Sequence, residues 1–182
     1  LMPLCCIAQN KGKGAFAFVN IEYSPRVAAL GGSAISIFDN DVSLSQNTPS
    51  LLNQEMHNEV CFVFGDYFAD INLVSVAYAY NLKSYGVLGI SLKAVDYGSF
   101  ERNNEQGLSI GTFSANDQIF TFGIAKQLHS HFFLGCNFSL LSSQYDRYIS
   151  YAITTNISST YVNKDKRFTS TLLFKNFGKQ LN

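Results

Sequence analysis

Apolar side chains alternate with small or polar ones along four stretches of this chain, residues 86–97, 118–128, 132–142 and 149–161. A period of two predicts β-strands, because successive side chains of a strand point to opposite faces. The first stretch puts Leu88, Ile90, Leu92 and Ala94 on one face and Gly89, Ser91 and Lys93 on the other. The second sets Phe120, Phe122 and Ile124 against Thr121, Gly123 and Ala125. The third sets Phe132, Leu134, Cys136, Phe138 and Leu140 against Gly135, Asn137 and Ser139, and the fourth sets Ile149, Tyr151, Ile153, Ile157 and Tyr161 against Ser150, Thr154, Asn156, Ser158 and Thr160. A sheet with one wet face collects Lys and Glu there. Here that face is Ser, Thr, Gly and Asn, the chemistry of an enclosed lumen. The pattern predicts an all-β, antiparallel transmembrane barrel.

Strands are expected in meander order at 58–65, 72–80, 85–98, 116–127, 131–143, 148–161 and 168–177. A short one at Ala34 to Phe38 brings the total to about eight. Asn81 to Ser84, His129 to Ser130 and Asn163 to Arg167 read as short turns, Gln144 to Arg147 as intermediate, and Ser99 to Ala115 as a long polar loop. Short turns on one side and longer loops on the other are the habit of outer-membrane barrels. Residues 9–57 lack a strand period and read as an irregular plug or first hairpin, with Asp39-Asn40-Asp41 as a turn and a helical turn between Ser43 and Asn53 stopped near Pro49. Residues 58–182 read as barrel wall. No closing strand follows Phe177-Gly178-Lys179, so the wall reads as about the first half of a longer barrel.

Charged residues make up 14% of the chain, against roughly 25% in soluble proteins. Thirteen basic and thirteen acidic residues cancel, which leaves no basic stripe for a nucleic-acid backbone. No apolar run reaches the roughly 18 residues of a membrane-spanning helix, so a spanning chain of this kind spans as a barrel. Tyr78, Tyr80, Tyr85, Tyr97, Tyr145, Tyr148 and Tyr161 fall near strand ends, where a barrel carries aromatic girdles. Residues 1–8 read as the remnant of a secretory signal, with Cys6 and Ala8 small before a cut at Gln9. Cys61 and Cys136 then remain, Cys136 on an apolar face, with a disulfide between them left open.

Catalytic and cofactor patterns are missing. Gly12-Lys13-Gly14 lacks the third glycine and the preceding strand of a dinucleotide loop, and no Gly-x-Ser-x-Gly elbow occurs. Asp39-Asn40-Asp41 starts like a calcium loop without its later glycine and glutamate. His129 and His131 flank a turn with no third metal ligand, while His57 and the Asp146-Arg147 pair stand alone. The expectation is a protein without catalytic residues, cofactor or metal.

Particular words of the sequence carry a resemblance. Arg26 through Ala34, containing Leu30, Gly31 and Gly32, is followed by Asp39 to Ser43 and by Asn47-Thr48-Pro49-Ser50-Leu51-Leu52. That succession resembles the N-terminal signature of FadL-like outer-membrane proteins of Bacteroidota. Asp96-Tyr97-Gly98-Ser99-Phe100 and then Gly111-Thr112-Phe113-Ser114-Ala115-Asn116-Asp117 are similar to a loop of the PorV/PorQ group of the type IX secretion system. Ser142 to Tyr148 and Lys175 to Leu181 lean toward the PorQ branch. The resemblance implies a barrel of roughly fourteen strands in the outer membrane of a Gram-negative bacterium, with loops at the cell surface. It also implies a scaffold that anchors a PorZ-like surface protein beside PorU-like and PorV-like partners, for cargo processing and attachment to anionic lipopolysaccharide.

Asn47-Thr48-Pro49 departs from the family's Asn-Pro-Ala-like order, and the cysteines are outside its signature. Gly31 and Gly32 suit a tight path where the plug enters the wall. Arg26 is placed either to pair with a lumen acid such as Asp96 or to lie solvated at the periplasmic side. The stretch with Glu101, Arg102, Asn103, Asn104 and Glu105 is the candidate partner contact or else a mobile loop without one. A passive channel for hydrophobic small molecules is the alternative function, and the small polar inner face favours the anchor.

Overall fold

The computed structural model describes residues 16–32 and 34–181. The signal remnant, Gly12-Lys13-Gly14 and Ser33 lie outside the described residues. Seven antiparallel strands form one sheet in chain order: β1 (Val60–Asp66), β2 (Asn72–Asn81), β3 (Val87–Asn103), β4 (Ser109–His129), β5 (Phe132–Tyr145), β6 (Tyr148–Val162) and β7 (Thr169–Gln180). Every neighbour in the sheet is also a neighbour in sequence, which keeps each pairing local. β1 and β7 are its edges, so the sheet of the described residues is open.

Register turns the one-dimensional alternation into two surfaces. Ile90, Phe122 and Phe138 stand opposite one another across β3, β4 and β5, and Leu92, Phe120 and Leu140 form the next row. These side chains are exposed or half-exposed, Phe122 at 47% and Leu140 at 48%. On the reverse face Ser91, Thr121 and Ser139 pair in register and are buried. Thr121 and Ser139 share a hydroxyl hydrogen bond of 2.8 Å. The apolar face of the sheet thus points outward, and its polar face is covered from within.

Residues 16–57 are that cover. They hold α1 (Pro25–Ala29), α2 (Val42–Ser45) and three short 3₁₀ turns. Phe18 packs on Ile119, Leu141 and Ala152; Val42, Leu52 and Met56 pack on Ala77, Ala79, Val87 and Ala125. Under Val42, Leu52 and Met56 the wall offers mostly alanine, and under Phe18 it offers Ile119 and Leu141, so each side chain of the plug meets a complementary one.

Three expectations are corrected, and the cysteine pairing left open is answered. Ala34 to Phe38 forms no strand: Ala34, Ile37 and Phe38 pack as coil against Val27, Leu44 and Leu51, where burial needs no ladder partner. Ser99 to Ala115 is no long loop, because β3 and β4 pair on to Asn103 and Ser109, around register shifts after Asp96 and Arg102. Connections are short at both ends of the sheet, 67–71, 104–108 and 146–147 at one and 82–86, 130–131 and 163–168 at the other. Length on one side is supplied by a projecting hairpin instead. Cys61 and Cys136 are both free; Cys61 lies beside the buried cluster under the plug, whereas Cys136 is exposed on the outer face, so the sheet itself separates them.

Candidate functional site

The seam between plug and wall begins at the 3₁₀ turn Pro49–Leu51. The Ser50 N–H donates to Ser158 Oγ at 2.8 Å, and the Ser50 and Thr160 hydroxyls meet at 2.7 Å. Gly135 makes this approach possible: a β-carbon there would lie 2.3 Å from Ser50 N and 2.4 Å from Pro49 C. Alongside, the Asn137 side-chain amide donates to the Gln46 carbonyl at 3.2 Å, and Gln46 and Ser75 exchange hydrogen bonds at 3.0 and 3.2 Å. An apolar wall would leave these plug carbonyls and N–H groups unpaired, at about 1–3 kcal/mol each. The Ser, Thr and Asn of the inner face are therefore partners for irregular backbone.

Two charges stand on the inner face at mid-strand. Lys93 is 4% exposed; its Nζ donates to Asn47 Oδ1 at 2.8 Å and lies 5.2 Å from the centre of the Tyr23 ring. Asn47 in turn donates to Glu22 Oε2 at 2.9 Å, so one carboxamide links the cation to a carboxylate. Asp117, 1% exposed, accepts from the Tyr97 hydroxyl at 2.7 Å and from Tyr145 at 3.5 Å. Its other oxygen and the Tyr23 hydroxyl have no partner among the described residues. Burial first, then the charges of Asp117 and Glu22, push the Tyr23 phenol well above its ordinary value, so it stays neutral.

Asn47→Ala is expected to lower stability by about 2 kcal/mol, because it strands a buried ammonium. Denaturant melting of the purified chain checks this. Lys93→Met in the Asn47→Ala background recovers part of the loss if the ammonium is its cause; an unchanged loss would point to packing.

Arg26, expected to meet Asp96 or lie solvated, does not meet Asp96; it is exposed and also paired. It bonds Asp39 at 2.6 Å and Asp41 at 3.1 Å within the plug. Asp96 is exposed on the outer face, where it accepts from the Gly98 N–H; strand parity turns it away from the plug. Asp39 also accepts the Asp41 N–H, and Asp41 caps α2 through Ser43 N. Partial burial raises the Asp39 carboxyl, but its bond to Arg26, the Asp41 N–H and the Arg26 charge outweigh that and hold it below the usual range. A carboxylate with a depressed folded pKa stabilises above its unfolded pKa and loses that contribution as pH falls through the folded one. Arg26→Ala is thus expected to remove up to ~1 kcal/mol at neutral pH and little at pH 2, read from melts at the two pH values.

Gly31 and Gly32 have φ of +91° and +81° and close α1 by bonding back to Ala28 and Val27. They serve a helix terminus inside the plug and not a passage into the wall, and a β-carbon on either meets nothing within 4 Å. Positive φ is what favours glycine here. Leu30, just before them, is 58% exposed. Asn47 and Pro49 of the same signature lie on the seam.

The projecting hairpin collects the remaining candidates. Phe113 stacks on Phe100 with ring centres 5.3 Å apart, and the Arg102 guanidinium lies 5.9 Å from the Phe113 ring. Arg102 also pairs with Asp146 in the β5–β6 turn, so Asp146, expected alone, clamps the hairpin to its neighbour. Gly111, with φ of +137°, lies opposite Arg102 where the register shifts. Asn104 turns the tip by accepting from Gln106 and Leu108 N–H groups. Glu101, Asn103 and Glu105 are exposed, as are Leu108 and Ile110 at 66% and 58%.

No family model, curated protein or solved structure matches the chain. Its own geometry must carry the functional reading.

The seam unites Asn47 and Pro49 with residues the sequence did not single out as a site: Glu22, Tyr23, Lys93, Gly135, Ser158 and Thr160. A lysine at the centre of an otherwise small polar face was the available signal. The histidines are used locally. His57 Nδ1 accepts the Asn81 N–H at 3.1 Å, and His131 Nδ1 lies 3.0 Å from the Val162 carbonyl.

Proposed function

We propose that this chain is the plug and part of the wall of an outer-membrane β-barrel that anchors a surface partner. The observation that carries this reading is the pairing of a filled interior with an apolar exterior. Pro49, Ser50, Leu51 and Met56 are buried against the wall, while rows of Phe, Leu and Ile face out. An exposed apolar surface of this kind calls for lipid or a partner, and outer-membrane barrels present such an outward apolar band. The free edges of β1 and β7 are where further strands of a barrel would pair.

Anchoring is favoured over passive conduction because the plug is hydrogen-bonded to the wall from β2 to β6. The clamped hairpin supports a docking role, since a rigid projection loses little entropy on binding. With the sequence resemblance, the reading extends to a type IX secretion attachment complex, with a PorZ-like protein as the direct partner and PorU-like and PorV-like proteins beside it. Outer-membrane lipid surrounds the barrel.

Mild-detergent purification of the tagged full-length protein from its own outer membrane tests this, with co-purifying proteins identified by mass spectrometry. A sortase-like protein and a large surface protein in stoichiometric amounts support it; the barrel alone, or with bound fatty acid, turns the reading to a channel. Arg102→Ala is expected to lower partner recovery several-fold at an unchanged barrel yield, because it frees the hairpin.

A further inference from the structure

Charge is sorted by end. Lys83, Lys126, Lys164, Lys166 and Arg167 lie in or beside the connections 82–86, 130–131 and 163–168, which share one end of the sheet. The carboxylates there are Glu55, Glu59 and Asp165, with Asp39 and Asp41 near them in the plug and both held by Arg26, and Glu55 is held by Lys166 at 2.8 Å. At the opposite end Asp66, Asp70, Asp96, Glu101, Glu105 and Asp146 outnumber Arg102, Arg147 and Lys179.

Position adds to sign. Lys126 is exposed on the outer face, two residues beyond Ile124 and opposite Leu134, with the exposed Leu128 and Phe132 as the last apolar side chains beyond it. Tyr80, Tyr85, Phe132 and Phe168 are exposed near the same end. A lysine at this level lays its stem along acyl chains and its ammonium among headgroup phosphates. Among the described residues, Lys83, Lys126, Lys164 and Arg167 form no ion pair.

We propose that this basic end is a binding surface for the headgroups of anionic phospholipids. The inference rests on the barrel reading and fixes its orientation. Outer-membrane barrels extend their longer structures on the cell-surface side, and the β3–β4 hairpin projects from the acidic end. The basic end then sits in the periplasmic leaflet, where phospholipid is the source of phosphate.

Native mass spectrometry of the full chain, released from a zwitterionic detergent holding equal phosphatidylglycerol and phosphatidylcholine, tests the surface. Phosphatidylglycerol adducts are expected to dominate about tenfold or more, each cation contributing up to about fivefold. Lys126→Gln combined with Lys164→Gln and Arg167→Gln is expected to bring the two lipids near parity, and Lys126→Arg with Lys164→Arg is expected to keep the preference. Circular dichroism confirms that these exposed substitutions leave the sheet intact. Equal adducts for the unaltered chain, or a preference that survives the triple substitution, overturn the surface and leave the barrel reading standing. Absence of adducts from either lipid overturns both.

Discussion

Gly135→Ala is expected to unseat the plug. The new β-carbon would sit 2.3 Å from Ser50 N and 2.7 Å from the Pro49 carbonyl oxygen, and both are backbone atoms that cannot rotate away. Relief requires the 3₁₀ turn to lift, which breaks the Ser50 bonds to Ser158 and Thr160 and exposes Leu51 and Leu52, now 0% and 2% exposed. Overpacking of this kind costs about 3 kcal/mol. The expected result is a lower denaturant midpoint together with faster proteolysis of residues 16–57. Gly89→Ala is the milder comparison, because its β-carbon would meet side-chain atoms only, Leu52 Cδ1 and Cδ2 at 3.0 and 3.1 Å, and these need give by only a few tenths of an ångström. If Gly135→Ala melts like the unaltered protein, the plug does not dock on the wall as described.

Phe122→Lys is expected to abolish membrane assembly while leaving the seam untouched. Phe122 lies in the middle of the outer rows, between Ile90 and Phe138, so a lysine there would place its charge near the bilayer midplane at a cost of about 2–4 kcal/mol. Leu134→Lys, directly opposite Lys126, is expected to cost less, because its ammonium reaches the headgroups. Gln118→Lys, on the same outer face beyond the phenylalanines, should be tolerated. Folding into phospholipid vesicles, followed by protease protection, measures all three. Equal insertion of the Phe122→Lys and Gln118→Lys proteins would show that this face does not meet lipid.

Much of the sheet was legible in the sequence because a strand's period is local. Phe120, Phe122 and Ile124 must share a face whatever their neighbours do, so the split into outer and inner faces follows from parity alone. The tip of β3 and β4 was hidden for the opposite reason. Gly98, Gly107, Gly111 and Asn104 read as loop residues, yet the glycines and asparagine occupy bulges and a turn while the ladder runs past them. Arg26 was misassigned because an ion pair has no period. Its partners Asp39 and Asp41 are brought near by the folding of the plug.

What the sequence by itself determined is the all-β meander, the apolar and polar faces, and the placement of Lys93 on the inner one. These depend on neighbours two residues apart. What only the tertiary structure decided is the meaning of that inner face: that Ser158, Thr160 and Asn137 bind plug backbone, that Gly135 is space for Ser50, and that Asn47 ties Lys93 to Glu22. An irregular segment has no period to announce its partners, and its hydrogen bonds span up to 156 residues of sequence. Those contacts exist only once the strands have set the wall, which is why pattern gave the surface and packing gave the site.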